Sequence, residues 1–445
     1  MLFNRQPIQS DLELHSLSKD GAGAAIQADT PLEFVVYAVI LVFISALWYE
    51  SDAYRYAAPL LVVPALAHYL RVHRSFPDRP RIGIVGLLCV AWGLYVAARY
   101  AYTVVARPDV GDGTSEGIYL LPLLYPTFGY ALWLYVRRPF IIAVSFVLIS
   151  FVVVLYGADI PSLTSVQRAD FSLHQNPIHA AGATGMVVLC LLPFMIYVSR
   201  AKTLSEELRL PLLGIAMLAF TIGLINTYGL QSKGAWLALA IALPFQIILM
   251  LWMHNARATI ISALVLAAFL CLALVFAWNG IWTVAGDTIN AIILLVANIA
   301  DIGLRQAVDH AISDQTLPSS FRQRLVLWAS AVLIWGDNPL FGLGVAWEHI
   351  WNYRAHPQAR FNLLHNGYLE IAIRYGVVGL SFYIVLFAWA IRRVWQASRY
   401  GLIDVTVFQA YVSILIFFCG TILTNSNVRL ALGESYMMMA AGFGF

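Results

Sequence analysis

The sequence contains few charged residues. Asp, Glu, Lys and Arg make up 11% of its 445 positions, whereas about a quarter is usual in soluble domains. Hydrophobic residues reach 60%. This balance excludes an ordinary soluble protein and predicts an integral membrane protein, whose helices satisfy their own backbone hydrogen bonds inside the bilayer.

Cysteine is also scarce, and the common catalytic signatures are missing. There is no H-E-x-x-H zinc motif, no Walker phosphate loop, no G-x-S-x-G nucleophile elbow and no close pair of carboxylates for a divalent metal. These absences are compatible with a catalyst that works through cations and a single base, without a cofactor. The cysteines lie inside apolar stretches and lack metal-ligand spacing, so we expect neither disulfides nor structural zinc. They are Cys89, Cys190, Cys271 and Cys419.

Twelve apolar stretches predict an all-α polytopic membrane protein with about 12 transmembrane helices, since roughly 20 apolar residues suffice to cross a bilayer. They divide the chain into an N-terminal tail (1–30), transmembrane helices 1–9 (31–278), one large helical loop (279–367) and transmembrane helices 10–12 (368–445). Within the loop, residues 287–312 have helical periodicity. The stretches are 32–49, 56–70, 82–105, 117–136, 140–157, 180–198, 211–229, 234–253, 258–278, 368–391, 404–423 and 430–445.

Lys and Arg residues are distributed unequally between alternate linkers. Because cytoplasmic linkers are rich in these residues, we expect both termini in the cytoplasm and the loop 279–367 on the outer face. No cleavable signal opens the chain, so the first helix is expected to remain as an anchor. One set of linkers holds Arg71, Arg74, Arg79, Arg81, Arg137, Arg138, Arg200, Lys202, Arg209, Arg257, Arg392, Arg393 and Arg399, and the other holds Arg55, Arg107, Arg168, Lys233 and Arg429.

The late loop contains two arginines at the start of a predicted amphipathic helix. Ser320 and Gln323 have the spacing of a capping box, which marks a helix N-terminus, and Arg322 and Arg324 lie in the first turn. Cations there oppose the helix dipole, but they suit the binding of an anion such as phosphate. The alternative is that both arginines extend to lipid headgroups.

Three further cations lie near the outer ends of apolar stretches. Lys233 stands beside Gly234, which permits close approach of a ligand, although contact with a lipid headgroup is an alternative. Arg99 and Arg374 lie within apolar stretches, where an unpaired cation is costly and therefore suggests a function. For Arg374 the simpler explanation is an ion pair with Glu370, four residues earlier on the same helix.

His365 is placed beside a helix start at the membrane surface. A neutral imidazole there is able to take a proton from a hydroxyl nucleophile, as general bases do, whereas a lone histidine is more often structural. Asn366 has the residue type of a helix N-cap, and we interpret it as a cap rather than a catalytic group.

These residues together resemble the bacterial O-antigen ligase and polymerase superfamily of membrane glycosyltransferases. The resemblance covers most of the chain and includes the number of spans and the late loop. The matching residues are Arg324-x-x-x-Trp328, Asn338-Pro339-Leu340-Phe341-Gly342-Leu343-Gly344, His365-Asn366 followed by Gly376 and Gly379-Leu380, and Ser232-Lys233-Gly234-Ala235-Trp236.

The resemblance implies a metal-independent glycosyltransferase of the bacterial inner membrane. It would move a polysaccharide from undecaprenyl diphosphate to the lipid A core on the periplasmic face, in lipopolysaccharide maturation. His365 would be the general base, and Lys233, Arg322 and Arg324 would bind the diphosphate. Lys233 stands where the family usually has arginine, which keeps the charge but loses the bidentate fork. The supporting candidates are Arg99, Asn366, Arg374 and Arg429.

The mechanism expected from these residues is a single displacement that inverts the anomeric carbon. One alternative is a polymerase or a protein O-oligosaccharyltransferase of the same superfamily. Another is a transporter or flippase of a lipid-linked anion, which would be expected to place polar residues through the midplane of the membrane. The grouping of Lys233, Arg322, Arg324 and His365 on one predicted face favours the enzyme.

Overall fold

The computed structural model describes residues 30–75, 83–106, 110, 114–159, 162, 167–171, 173–202, 204–253, 257–359 and 361–445. These residues form fifteen α-helices and no strand, which confirms the predicted all-α class. The predicted N-terminal tail and the linker residues Arg79, Arg81 and Arg107 lie outside the described residues, apart from Thr30. The helices are α1 (Thr30–Phe43), α2 (Tyr54–Ser75), α3 (Ile84–Ala106), α4 (Tyr125–Tyr135), α5 (Pro139–Tyr156), α6 (Pro177–Arg200), α7 (Glu206–Gly229), α8 (Lys233–Met253), α9 (Arg257–Ile302), α10 (Leu304–Ser313), α11 (Ser319–Trp335), α12 (Ala346–Arg354), α13 (Gly367–Arg399), α14 (Val405–Ile422) and α15 (Ala431–Gly444).

Nine helical segments of the described chain are long and apolar enough to cross a membrane, as expected of a multi-pass membrane protein. One of them combines α4 with the 3-10 helix Thr114–Leu124 that precedes it. The three remaining predicted stretches are also helical. However, α1 and α15 have only 14 residues each, and α2 contains His68 and Arg71.

Helix α9 is much longer than the apolar stretch 258–278 that predicted it. The predicted end at 278 is a change in polarity only, because α9 continues without interruption to Ile302. The chain turns at Gly303, whose φ of +84° is accessible to glycine. The periodic stretch 287–312 is therefore not one separate helix, since Gly303 divides it between α9 and α10.

Helix α6 lies at the centre of the bundle, and most of its apolar segment is buried. Small residues along it allow close approach of other helices. A side chain on Gly185 would collide with the ring of Phe417 of α14, and one on Gly223 of α7 would meet Val188. This packing fixes the N-terminus of α6 beside the chain that follows α14.

Helix α13 is broken at Gly376, where the loop after α11 inserts. Gly376 has φ +62° and ψ −157°, a conformation that only glycine adopts readily. The backbone N–H groups of Leu343 and Gly344 donate to the carbonyls of Ile373 and Arg374. Val377 in turn donates to Pro339, so the loop satisfies the backbone groups that the break exposes.

A buried ion-pair network holds the same region together. The side chain of Arg374 is fully buried and contacts the carboxylates of Glu116, of Glu348 at 2.9 Å and of Glu370 at 3.9 Å. The predicted pairing with Glu370 is therefore present, but as one of three. Because an unpaired buried charge is very costly, these partners make Arg374 a structural residue.

Helix α11 begins differently from the prediction. Its N-cap is Pro318, without a side-chain hydrogen bond, and Ser319 is its first residue. The predicted capping box of Ser320 and Gln323 is wrong, because Ser320 is already the second residue of the helix and not its cap. The last two turns lead into the loop that docks on α13.

Candidate active site

A cavity of about 190 Å³ is lined by residues of α6, α8, α9 and α11 and by the chain after α14. Three cations reach it from different parts of the sequence: Arg168, Lys233 and Arg324. The remaining lining includes Thr288 and Thr424. Two of the predicted diphosphate ligands are thus brought to one polar cavity.

Lys233 is the first residue of α8 and faces α9. Its Nζ donates to Oγ1 of Thr288 at 2.6 Å. The turn before it places Gln231 at φ +48°, and Gly234 lies so close to Thr424 that a side chain there would collide with it. Gly234 therefore permits the approach of the two cavity walls.

Arg324 lines the same cavity from α11 and is half-buried. Within the described part of the chain, no carboxylate pairs with its guanidinium and no hydrogen bond satisfies it. Burial lowers its pKa, yet arginine stays charged in proteins. A half-buried cation without an anion has a strong electrostatic preference for an anionic ligand.

Arg168 is a third cation that sequence analysis used only to orient the chain. It follows α5 in the segment 167–171, and its Nε donates to the carbonyl of Leu230 at 3.1 Å. Burial of part of the side chain lowers its pKa, although the residue as a whole is exposed. No local pattern distinguishes it, because its contact with the cavity arises from folding alone.

Arg322 is not among the described residues that line the cavity. Its Nη1 instead donates to Oε1 of Gln315 at 2.9 Å, in the turn before α11. Residues two apart on a helix do not share a face, so Arg322 and Arg324 point in different directions. The predicted role of Arg322 in diphosphate binding is not supported by this placement.

His365 adjoins the cavity through the chain after α14. Thr424 lines the cavity, and the next residue, Asn425, has its Oδ1 3.4 Å from Nδ1 of His365. The backbone N–H of Ser426 donates to the same oxygen, which fixes the orientation of the amide. His365 therefore carries its proton on Nδ1, and its Nε2 is left with a lone pair.

The surroundings of His365 favour the neutral imidazole. Burial lowers its pKa and the charge of Arg324 lowers it further, whereas the hydrogen bond to Asn425 and the charge of Glu370 oppose these changes without cancelling them. Its backbone is held at φ +49°, in the left-handed region, where non-glycine residues are uncommon and often functional. Such an imidazole is available as a base at neutral pH.

Glu370 is a buried carboxylate that contacts both chain segments around His365 and Asn425. It accepts hydrogen bonds from the backbone N–H of Leu364 at 3.3 Å and from Oγ of Ser426 at 3.1 Å. It also pairs with Arg429 at 3.3 Å. Leu364 precedes His365 and Ser426 follows Asn425. Glu370 therefore connects the backbone next to the imidazole with the backbone next to its hydrogen-bond partner.

The other supporting candidates make contacts within the protein. Arg99 donates to the backbone carbonyls of Phe341 and Gly342, and so binds the loop that docks on α13. Asn366 is the N-cap of α13, and its Oδ1 accepts from the N–H groups of Tyr368 and Leu369 at 3.0 and 3.1 Å. The prediction of a cap is confirmed. Any direct contact of these residues with a substrate stays a prediction.

Fold and cavity define a multi-pass helical membrane protein with a cationic site beside a neutral imidazole. Residues 215–384 match the family model described as O-antigen ligase, so this part of the chain is similar to that family. The matched part contains Lys233, Arg324 and His365, whereas Arg168 and Asn425 lie outside it. A search of curated proteins finds no match.

Proposed function

We propose that the protein is an O-antigen ligase that transfers a polysaccharide from undecaprenyl diphosphate to the lipid A core. The observation that carries the proposal is the half-buried Arg324, which lacks an anionic partner in the described chain and shares a cavity with Lys233 and Arg168. A diphosphate supplies the missing negative charge. The family match supports a ligase-type glycosyltransferase in general terms.

The cations would act on the leaving group. As the bond between the anomeric carbon and the phosphate oxygen breaks, its electron pair moves to that oxygen and negative charge grows on the diphosphate. Preorganised cations in a partly desolvated site stabilise such charge more than water does. Lys233 and Arg324, which line one cavity from different helices, are suited to hold the two phosphates.

His365 would act on the acceptor. Its Nε2 accepts the proton of an acceptor hydroxyl while the hydroxyl oxygen attacks the anomeric carbon from the side opposite the diphosphate. Asn425 keeps the Nδ1–H tautomer in place, as the third member of a catalytic triad does. One displacement of this kind inverts the anomeric configuration.

The position of the site agrees with a periplasmic reaction in the bacterial inner membrane. The cavity residues Lys233, Ile178 and Thr424 lie at the start of α8, at the start of α6 and just after α14. In the predicted topology, with both termini in the cytoplasm, all three positions fall on the outer face.

Reconstitution tests the function directly. The full-length protein in nanodiscs receives the lipid-linked polysaccharide, lipid A core and a metal chelator. We expect a glycosylated lipid A core whose new bond has the anomeric configuration opposite to that of the donor. Polymer formed from donor alone would indicate a polymerase instead, and a retained configuration or dependence on added metal would contradict the mechanism.

A further inference from the structure

A second ionisable pair, Glu50 and His179, lies beside the cationic cavity. Nδ1 of His179 is 2.8 Å from Oε1 of Glu50, and the backbone N–H of Gln175 donates to the other carboxylate oxygen at 2.9 Å. Both residues belong to the N-terminal half of the chain, outside the part that matches the O-antigen ligase family. Neither is used by the proposed transfer step.

Backbone contacts anchor the pair next to a residue that lines the cavity. Glu50 lies after α1, where its backbone N–H donates to the carbonyl of Leu173 at 3.1 Å. His179 is in the first turn of α6, next to Ile178, which lines the cavity. One turn further along α6, Gly182 packs against the side chain of Asn427, close to the partner of His365.

His365 is close enough to both Arg324 and His179 for their charges to act on it, whereas Lys233 interacts with Arg324 and Asp287. The cavity is therefore the cationic side of the site, and the Glu50–His179 pair beside Ile178 is the side that carries a carboxylate. A diphosphate is favoured on the first side and repelled by the second, which leaves the second for an uncharged ligand.

We propose that the Glu50–His179 pair is the acceptor subsite, in which the His179 imidazole hydrogen-bonds a sugar hydroxyl of the acceptor and presents a neighbouring hydroxyl to His365. With Nδ1–H donated to Glu50, the second ring nitrogen of His179 remains for the ligand. Its side chain is 16% exposed, so the ring remains accessible. A hydroxyl both donates and accepts, and it therefore pairs with either protonation state of the imidazole.

This inference rests on the proposed function and is tested by two-substrate kinetics. Initial rates are measured on the full-length protein in nanodiscs, with undecaprenyl-diphosphate-linked polysaccharide and lipid A core varied separately. The variants are His179→Ala and Glu50→Gln. The control is Glu206→Gln, which removes a carboxylate from an exposed ion pair with Arg209.

We expect His179→Ala to raise the KM for the acceptor roughly tenfold, as loss of one hydrogen bond to a ligand does. The KM for the donor and the rate at saturating acceptor should stay within about twofold of wild type. Glu50→Gln should raise the acceptor KM by a smaller factor, because the amide holds the imidazole without its charge. The control should match wild type in both constants.

An unchanged acceptor KM in the two variants, or an equal rise in the donor KM, would overturn the proposal. Glu50→Gln keeps the size of the side chain, so it provides the test even where His179→Ala fails to insert. Transfer by the wild-type protein distinguishes failure of the proposed function from failure of the proposed acceptor subsite. Absence of transfer by wild type counts against the proposed function, whereas normal transfer with unaltered acceptor KM counts against the subsite alone.

Discussion

Lys233 and Arg324 line the same cavity from two different helices, one at the start of α8 and the other in the second turn of α11. Lys233 has a neutral partner in Thr288, and Arg324 has no anionic partner within the described chain. Two cations held together in this way repel each other unless an anion lies between them. This relationship is the physical basis of the proposed diphosphate site.

The first prediction concerns these two cations. Arg324→Ala and Lys233→Ala should each raise the KM for the lipid diphosphate by about 10- to 100-fold, the range expected for loss of a charged hydrogen bond. Lys233→Arg should keep most of the activity because it keeps the charge. The measurement is the initial rate of transfer as a function of donor concentration.

Arg322→Ala is the matched control for this prediction, since it removes the same side chain from the same helix but from another face. We expect its donor KM to stay near the wild-type value. Equal effects of Arg322→Ala and Arg324→Ala would contradict the assignment of the cavity and would favour a general attraction of the donor to the positively charged helix.

The second prediction concerns pH. Burial lowers the pKa of His365 below its ordinary value of 6.5, and the active form of a base is the neutral one. The kcat/KM should therefore be retained at pH 6.5 and should fall only as the pH drops through the lowered pKa. Asn425→Asp places a negative charge beside the imidazole, which raises the pKa and should move the acid limb to higher pH. An acid limb at the same pH in both proteins would exclude His365 as the titrating base.

The third prediction concerns the buried ion pairs. Arg374→Ala leaves the buried carboxylate of Glu116 without its cation and leaves Glu370 with Arg429 alone, and it should lower the free energy of unfolding by about 3–5 kcal/mol. Arg209→Ala, which breaks an exposed pair with Glu206, should change it by at most about 1 kcal/mol. Thermal unfolding of both variants in detergent provides the comparison, and similar unfolding temperatures would show that the network contributes little.

The fourth prediction concerns the break in α13. Gly376→Ala adds a side chain that collides with the carbonyl of Leu340, in a conformation that costs about 1–3 kcal/mol for other residues. The docked loop should therefore detach, with loss of thermal stability and of activity. Gly401→Ala is the control, because Gly401 has φ +71° but no neighbour within 4 Å of the added carbon. Equal tolerance of both substitutions would show that the loop does not need this close approach.

Local patterns predicted most of the fold. The apolar stretches predicted the helices, and the residue type of Asn366 predicted the start of α13. Both predictions were possible because helix formation and capping depend on neighbours in sequence. The continuation of α9 to Ile302 was missed, since polarity changes at 278 but nothing before Gly303 interrupts the helix. The separation of Arg322 from Arg324 follows from helical geometry and was available from the sequence.

The completed site depends on contacts between distant segments. Arg168 lines the cavity, Asn425 contacts His365, and His179 contacts Glu50. None of these three contacts has a local signal in the sequence. Such contacts are set by helix packing, above all by the small residues of α6. The resemblance assigned His365 and Arg324 to one site, and that assignment stays a prediction, whereas the contacts of His365 with Asn425 and of Arg168 with the cavity required the structure.

The most direct test of the account is the rate of polysaccharide transfer by His365→Ala, measured in nanodiscs beside binding of the lipid diphosphate. Since a general base contributes about 10²- to 10⁴-fold, we predict a loss of that size while donor binding and thermal stability match wild type. A transfer rate near that of wild type, with binding intact, would contradict the assignment of His365 and with it the proposed mechanism.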